Sequence, residues 1–442
     1  MKNKVKLITF ILFTSVILFS FTYSTEIKKT KPTKYIFLFI GDGMGVNQSF
    51  ITNNYLQTLG KEQLCYTLFP HFALTTTYCL DTTKVTDSAA AGTAIATGKK
   101  TQFGAIGMNN ITGEKYTSIA EIAKANQLKV GILSTVGINH ATPASFYGNQ
   151  PSRGMYIEIA DQMKESNFDL FAGGGIMTKG DTSEFNRILS ELKQTGYQII
   201  SEKEEFSKEK KYADKVYYSI FDVLLGDEEY PFAMDYKDQN IPTLADFTDF
   251  AIKYLDNEKG FFMMVEGGKI DWACHGNEAA AAINEVIAFN EAIKKALAFY
   301  ETHKDETLII VTADHETGGM SYGNDYMHYD INYEILANQK ISIEEFVTVL
   351  TNSKVENYPD VVSENIGFEL DNSYFENKTP EFIAQELVDS INKVAGIGWT
   401  TGSHTGTPVG TYSIGIGSEL FNGIIDNTDI VKNIMKLTEF KN

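Results

Sequence analysis

The sequence predicts an α/β protein: one central, mostly parallel β-sheet flanked by helices. Three observations predict it. Near-continuous apolar runs recur at Tyr35–Ile40, Gly260–Val265 and Thr307–Thr312, as strands buried on both faces require. Segments with helical periodicity alternate with these runs, the pattern of crossover connections. The runs end at glycines, acids and histidines, and open α/β sheets bind ligands at the carboxyl ends of their strands.

Length and composition bound the rest. The chain has 442 residues and is 43% hydrophobic, enough for one large domain or two to three smaller ones. Lys2, Lys4 and Lys6 precede an apolar run from Leu7 to Phe21, and Ser24-Thr25 follow. Residues 1–25 therefore read as a signal peptide and 26–442 as a single domain. An anchoring helix is the alternative, but the run is short for a membrane span. The expectation is export, to the periplasm or the medium, with no membrane attachment after cleavage. The net charge is −19, and cleavage would remove three lysines and no acid. Such a surface repels nucleic acid and anionic membranes, and no basic run offsets it. Cys65, Cys79 and Cys274 are too few for a disulfide framework. A single Cys65–Cys79 bridge and three buried thiols both remain open.

The elements follow in order. Tyr35–Ile40 is a strand that runs into Gly41-Asp42-Gly43-Met44-Gly45. The glycines permit a tight turn, but the spacing is not the dinucleotide fingerprint. Asp42 thus stands at a strand's carboxyl end. Val85–Ala94 is a loop that becomes a helix at Ser88, because Ala89–Ala91 follow at once and Gly98 supplies a stop. Ser88 is either the N-cap of that helix or a nucleophile at its N-terminus, where free N–H groups favour an anion. A serine nucleophile needs a base, a lowered pKa or a metal. Ser118–Gln127 is a helix leading into the strand Lys129–Thr135, which runs out into Asn139-His140-Ala141-Thr142-Pro143. Asp169–Ala172 is a short strand. The charged stretch 202–211 reads as a solvated surface helix. Asp246–Leu255 is helical, and Gly260–Val265 ends at Glu266. Glu278–Tyr300 is the longest helix, with Ala279, Ile283, Val286, Phe289 or Asn290, and Ile293 on one face. Thr307–Thr312 runs into Ala313-Asp314-His315. From about residue 318 to 398 the alternation is lost. The stretch is rich in Asn, Asp and Tyr, with one helix near Glu381–Val394, and reads as an irregular insertion over the sheet's edge or mouth. Thr411–Ile416 returns to strand, and Asp429–Leu437 is a terminal helix.

Asp271 and His275 are four residues apart, so a helical turn puts them on one face where they can hold one metal ion. His404, in a glycine-rich stretch, can complete that set. Hydrolytic zinc uses histidine and carboxylate with an open position, whereas carboxylate and hydroxyl oxygens suit magnesium.

Five stretches in order resemble the alkaline phosphatase family, from about Tyr35 to the C-terminus. They are Ile40–Gly45, Thr86–Ala90, Ala141-Thr142-Pro143 with Arg153 downstream, Glu266–His275, and Asp314-His315 followed by His404. The resemblance implies hydrolysis of phosphate monoesters with broad specificity through a phosphoserine at Ser88. It implies one zinc ion held by Asp271, His275 and His404. A second would be held by Asp42, Asp314 and His315, and would bind the Ser88 oxygen. It implies a magnesium ion shared by Asp42, Thr142 and Glu266, with Arg153 gripping the phosphate. It also implies a homodimer. Two positions depart from the best-known bacterial pattern: His140 stands for an aspartate and Trp272 for a lysine. Both match a subgroup found in some other bacterial and animal members, and both bear on the magnesium shell and on substrate binding. A sulfatase would need a Cys/Ser-x-Pro-x-Arg context that Asp87-Ser88-Ala89-Ala90 lacks, and a phosphodiesterase typically presents a different nucleophile context. A non-enzymatic binding protein would show a lost nucleophile or a broken ligand set, and neither is seen.

Overall fold

The first strand, β1 (Tyr35–Gly41), becomes the middle of a large sheet because every one of its residues is apolar or glycine and all are buried. Its side chains alternate between two cores. Tyr35, Phe37 and Phe39 enter one, and Ile36, Leu38 and Ile40 enter the other. Full burial of a phenylalanine stabilises by about 2–3 kcal/mol, so this strand alone anchors both layers. A computed structural model describes residues 32–201, 212, 214–219, 230–238 and 241–440. From Thr33 onward the chain forms one compact unit.

The further strands are β2 (His71–Thr76), β3 (Lys129–Gly137), β4 (Leu170–Gly174), β5 (Tyr197–Ile200), β6 (Lys215–Tyr218), β7 (Phe261–Gly267) and β8 (Thr307–Thr312). Then come β9 (Glu316–Thr317), β10 (Ser321–Tyr322), β11 (Ile397–Gly398), β12 (His404–Thr405), β13 (Val409–Gly415) and β14 (Gly423–Asp426). Ten of them form one sheet in the order β14-β2-β13-β8-β1-β7-β3-β4-β6-β5. All neighbours run parallel except those of β13, which is antiparallel to both β2 and β8. The remaining four form two small ribbons, β12 with β9 and β11 with β10. One face of the sheet is covered by the 24-residue helix Ala279–Thr302, through Phe289, Ala292, Ile293 and Ala296. The other is covered in part by the helix Ser88–Thr97, through Ala89, Ile95 and Ala96.

This is the α/β architecture expected; one stretch differs from its reading, and the alternatives left open are decided. Asp87, not Ser88, caps the Ser88–Thr97 helix: its Oδ1 accepts from the Ala90 N–H at 3.1 Å. Gly98 ends that helix in the left-handed region as expected. Residues 318–398 are more regular than their sequence suggested. They carry three α-helices, Ile343–Asn352, Tyr358–Ile366 and Pro380–Ala395, around a core of their own that includes Phe346, Leu350, Val362, Leu387 and Ile391. Cys65, Cys79 and Cys274 are free thiols. Phe289 and Asn290 are both buried; the Asn290 amide oxygen is satisfied by the Cys65 N–H at 2.8 Å. The expected signal peptide and the surface helix 202–211 lie outside the described residues. Among the described residues no helix is long and apolar enough to cross a membrane.

Candidate active site

Four neighbouring parallel strands, β8-β1-β7-β3, deliver their carboxyl ends to one place. Glu266 of β7 is level with Ile40 of β1 and with Ser134 of β3. Asp42 follows β1 directly, and Asp314 and His315 follow β8. The acids meet because parallel register sets them at one height, the usual ligand position of an open sheet. The turn after β1 keeps them close. Gly43 has φ +69°, and a Cβ there would lie 2.7 Å from Asp271 Oδ1.

Asp42, Asp314, His315 and Glu266 are all fully buried. His315 Nε2 lies 3.4 Å from Asp42 Oδ1 and 3.2 Å from Asp314 Oδ2. It also faces Ser88 Oγ at 3.2 Å. Thr142, in the short helix Ala141–Ala144, donates its hydroxyl to Asp42 Oδ2 at 3.4 Å. Ser134 Oγ donates to Glu266 Oε2.

A second group stands beside this one. The helix Lys269–His275 begins where the Thr135 hydroxyl accepts from the Gly268 and Lys269 N–H groups, at 2.9 and 3.3 Å. It carries Asp271 and His275 on one face, His275 Nε2 lying 3.3 Å from Asp271 Oδ2. His404 of β12 approaches from the other side, its Nε2 lying 3.7 Å from Asp271 Oδ1 and 3.2 Å from His275 Nε2. The Nδ1 atoms of both histidines donate to backbone carbonyls, His275 to Gly402 at 2.7 Å and His404 to Thr86 at 2.9 Å. In the neutral rings this leaves two Nε2 lone pairs aimed at each other. The His315 and His404 rings stack 3.6 Å apart and join the two groups.

The electrostatics call for cations. Asp42, Asp314 and Glu266 are pushed up, chiefly by burial, with repulsion adding from Asp314 first for Asp42 and from Asp271 first for Asp314; Asp314 reaches about 8 and Glu266 about 7. Burial pushes Asp271 up too, but His275, His315 and His404 outweigh it and hold it well below the usual carboxylate range. Asp42 Oδ1, Asp314 Oδ2 and Glu266 Oε1 are buried without a hydrogen-bond partner among the described residues. Among the described residues three sets offer ligand atoms within 4.8 Å of one another: Asp271, His315 and His404; Asp42, Asp314 and His315; and Asp42, His140 and Glu266. Converging lone pairs and orphaned carboxylate oxygens fit divalent metal ions.

Arg153 lies at the rim, partly exposed. Its Nη1 donates to Asp87 Oδ2 at 3.1 Å and its Nη2 to His140 Nε2 at 2.9 Å. Burial first, and Arg153 second, push His140 down to about 3, so the ring is neutral and accepts that bond. Trp272 is half-buried with its ring 6.2 Å from the His140 ring, and Lys269 Nζ sits 4.4 Å over the indole.

The sequence reading missed three side chains. Asp87 caps the Ser88–Thr97 helix and braces Arg153; an acid at a helix start was the visible signal. Ser134 holds Glu266. Thr317 donates its hydroxyl to Asp271 Oδ1 and lies 3.2 Å from His315 Nδ1, so it links the two groups. No pattern marked Ser134 or Thr317.

Comparison with known proteins agrees with this geometry. The family profile described as alkaline phosphatase matches residues 33–440. "Alkaline phosphatase 3" of Bacillus subtilis is 33% identical over 440 residues, covering 92% of this chain and 89% of that protein. The crystal structure of a cold-active alkaline phosphatase from a psychrophilic Shewanella sp. superimposes with a TM-score of 0.80 at 31% identity, covering 91% of this chain and 99% of that one. A variant of the enzyme from the Antarctic bacterium TAB5, with a histidine replaced by glutamate and Mg bound in its M3 site, superimposes with a TM-score of 0.69 at 30% identity, covering 94% and 100%. The chain belongs to the alkaline phosphatase family of metal-dependent phosphomonoester hydrolases.

Proposed function

We propose that this chain hydrolyses phosphate monoesters of broad specificity through a phosphoserine at Ser88, with two zinc ions and one magnesium ion. The observation that carries the reading is the Ser88 hydroxyl. It sits in the first turn of a buried helix, 3.2 Å from His315 Nε2. Asp271, His275 and His404 would hold one zinc ion. Asp42, Asp314 and His315 would hold the other, with Ser88. Asp42, Thr142 and Glu266 would hold magnesium, with His140 beside them. When bound, the zinc ions supply Lewis acidity that lowers the pKa of a ligating hydroxyl and stabilises charge on attacking and leaving oxygens.

The chain's own residues do the rest. Asp87 and His140 occupy one N–H on each terminal nitrogen of Arg153, which turns the remaining guanidinium edge to a phosphate. The N-terminus of the Ser88–Thr97 helix presents free backbone N–H groups to the same anion. Ser88 Oγ bonds to phosphorus as the ester's P–O bond breaks and the alcohol leaves. Water then cleaves the Ser88–phosphate bond and releases inorganic phosphate.

Residues 26–442 would act as one catalytic domain, with 318–398 as a crown-like insertion, exported to the periplasm or medium after loss of residues 1–25. A homodimer is supported by an exposed apolar strip at the sheet edge. Phe72 and Leu74 of β2 and Ile424 of β14 are all exposed there, and Ile424 pairs with Leu74. The test of the chemistry is trapping with labelled phosphate at low pH. The expected label is on Ser88. Label elsewhere, or no label in active enzyme, overturns the reading.

A further inference from the structure

Glu316 follows the His315 ligand position but points away from it. The side chain is buried to 3% exposure, and no lysine, arginine or histidine among the described residues lies within ion-pair distance. A buried carboxylate of this kind persists only if hydrogen bonds satisfy it. Four donors do so. Gln48 Nε2 reaches Oε1 at 2.7 Å and the Met320 N–H reaches the same oxygen at 3.3 Å. The Gly319 N–H reaches Oε2 at 3.1 Å, and the Thr405 hydroxyl donates to the same oxygen.

These donors come from three places that must be held together. Gln48 is in the first turn of the helix Val46–Thr58, next to the loop that carries Asp42. Gly319 and Met320 begin the 318–398 segment. Thr405 is the residue after His404, and β12 is only two residues long. Its pairing with β9 joins His404 to Thr317 and Thr405 to Glu316. Two ladder pairs give little rigidity by themselves. The Glu316–Thr405 bond adds a side-chain tether beside the ladder. The space is also committed: a Cβ on Gly45 would meet Glu316 Cγ at 2.3 Å.

We infer that Glu316 is a positioning residue for the zinc site at the mouth: it holds β12 so that His404 Nε2 stays beside Asp271 and His275. It touches neither substrate nor metal and acts through Thr405. The inference rests on the reading of His404 as a zinc ligand.

The test titrates zinc against a competing chelator in the full-length enzyme. Three variants are compared with the parent: Glu316→Gln, Thr405→Val and His404→Ala. Glu316→Gln keeps the shape but replaces one acceptor with a donor facing other donors. Thr405→Val leaves the carboxylate and removes the tether, together with the hydroxyl's exposed contacts to Thr407 at 3.1 and 3.4 Å. The expected result is one zinc equivalent held about 10- to 100-fold more weakly in Glu316→Gln. Thr405→Val should weaken the same equivalent by less. If Glu316→Gln does not fold, Thr405→Val carries the test alone. Unchanged zinc affinity in the variants that fold, with or without a lowered melting temperature, leaves Glu316 as packing only and overturns the inference. Unchanged zinc affinity in His404→Ala overturns the ligand reading instead.

Discussion

Asp42, Asp314 and His315 lie side by side with Asp271, His275 and His404, but the two groups are built on different supports. The first stands on the ends of adjacent sheet strands, and none of its members is exposed. The second stands on a seven-residue helix and a two-residue strand, and the side chain of His275 is 39% exposed. In the first group, burial and parallel register fix the ligands. In the second, local hydrogen bonds do it: two backbone carbonyls orient the histidines, and Glu316 steadies the strand beneath His404. Buried strand ends open only with the whole fold, whereas exposed short elements open locally. On the proposed metal assignment, a chelator is expected to take metal from the mouth group first.

The largest expected effect breaks the mouth group outright. His404→Ala should cost one zinc equivalent and at least about 10²-fold in turnover, the scale of a lost ligand-orienting or transition-state contact. Metal content and phosphate release measure it; full zinc with near-normal turnover would reject the assignment. The next concerns the deep group. His140 stands beside Asp42 and Glu266, and magnesium prefers carboxylate oxygen to imidazole. His140→Asp should raise magnesium affinity by about tenfold, read by activity against magnesium concentration after metal removal. No gain in affinity would separate His140 from the magnesium shell.

A smaller effect is expected at the rim. Trp272 cannot offer the charge a lysine would, and product release often limits such enzymes. Trp272→Lys should tighten inhibition by inorganic phosphate about fivefold, the net value of about one ordinary hydrogen bond, since the added lysine is partly solvated. Unchanged inhibition in a variant that keeps both zinc ions would leave Trp272 as packing against Lys269.

The smallest effect sharpens the contrast from outside the site. Glu278 directly precedes the long helix, and its carboxylate accepts from Gln339 Nε2 and from the Ile343 N–H, which belong to the 318–398 segment. Burial pushes its carboxyl up to about 8. The folded state therefore holds a proton that the unfolded chain releases near its ordinary value of about 4.3. That contribution is complete at acid pH and is lost as pH rises through about 8. Glu278→Gln should lose a few degrees less of melting temperature than the parent between pH 5 and pH 9. Identical slopes would show that Glu278 does not titrate in that window.

The sheet was legible because its central strands are buried on both faces, which writes them as apolar runs at Tyr35, Phe261 and Thr307. The helices Ile343–Asn352 and Tyr358–Ile366 were not. They are ten and nine residues long, each buries few side chains, and their cap signals at Ser342 and Pro359 are diluted by surrounding Asn, Asp and Tyr. At the site, residues with unusual neighbours stood out: Asp42 among glycines, Asp271 four before His275. Thr317 and Ser134 did not, because a hydroxyl that orients a ligand looks like any other strand or turn residue. Glu316 was hidden for a further reason. Its partners at 48, 319, 320 and 405 are gathered only by the fold.

β1 pairs with strands more than 200 residues later in the chain. The consequence is one of timing. While the chain is being made, residue 42 waits for residue 266, then for 314, then for 404. No fragment ending before residue 266 carries any of the proposed metal sets whole, and the sheet's middle closes after most of the polypeptide exists. Long-range pairing of this kind is slow to form. A nascent chain of this design stays open, and catalytically silent, until its last third has emerged.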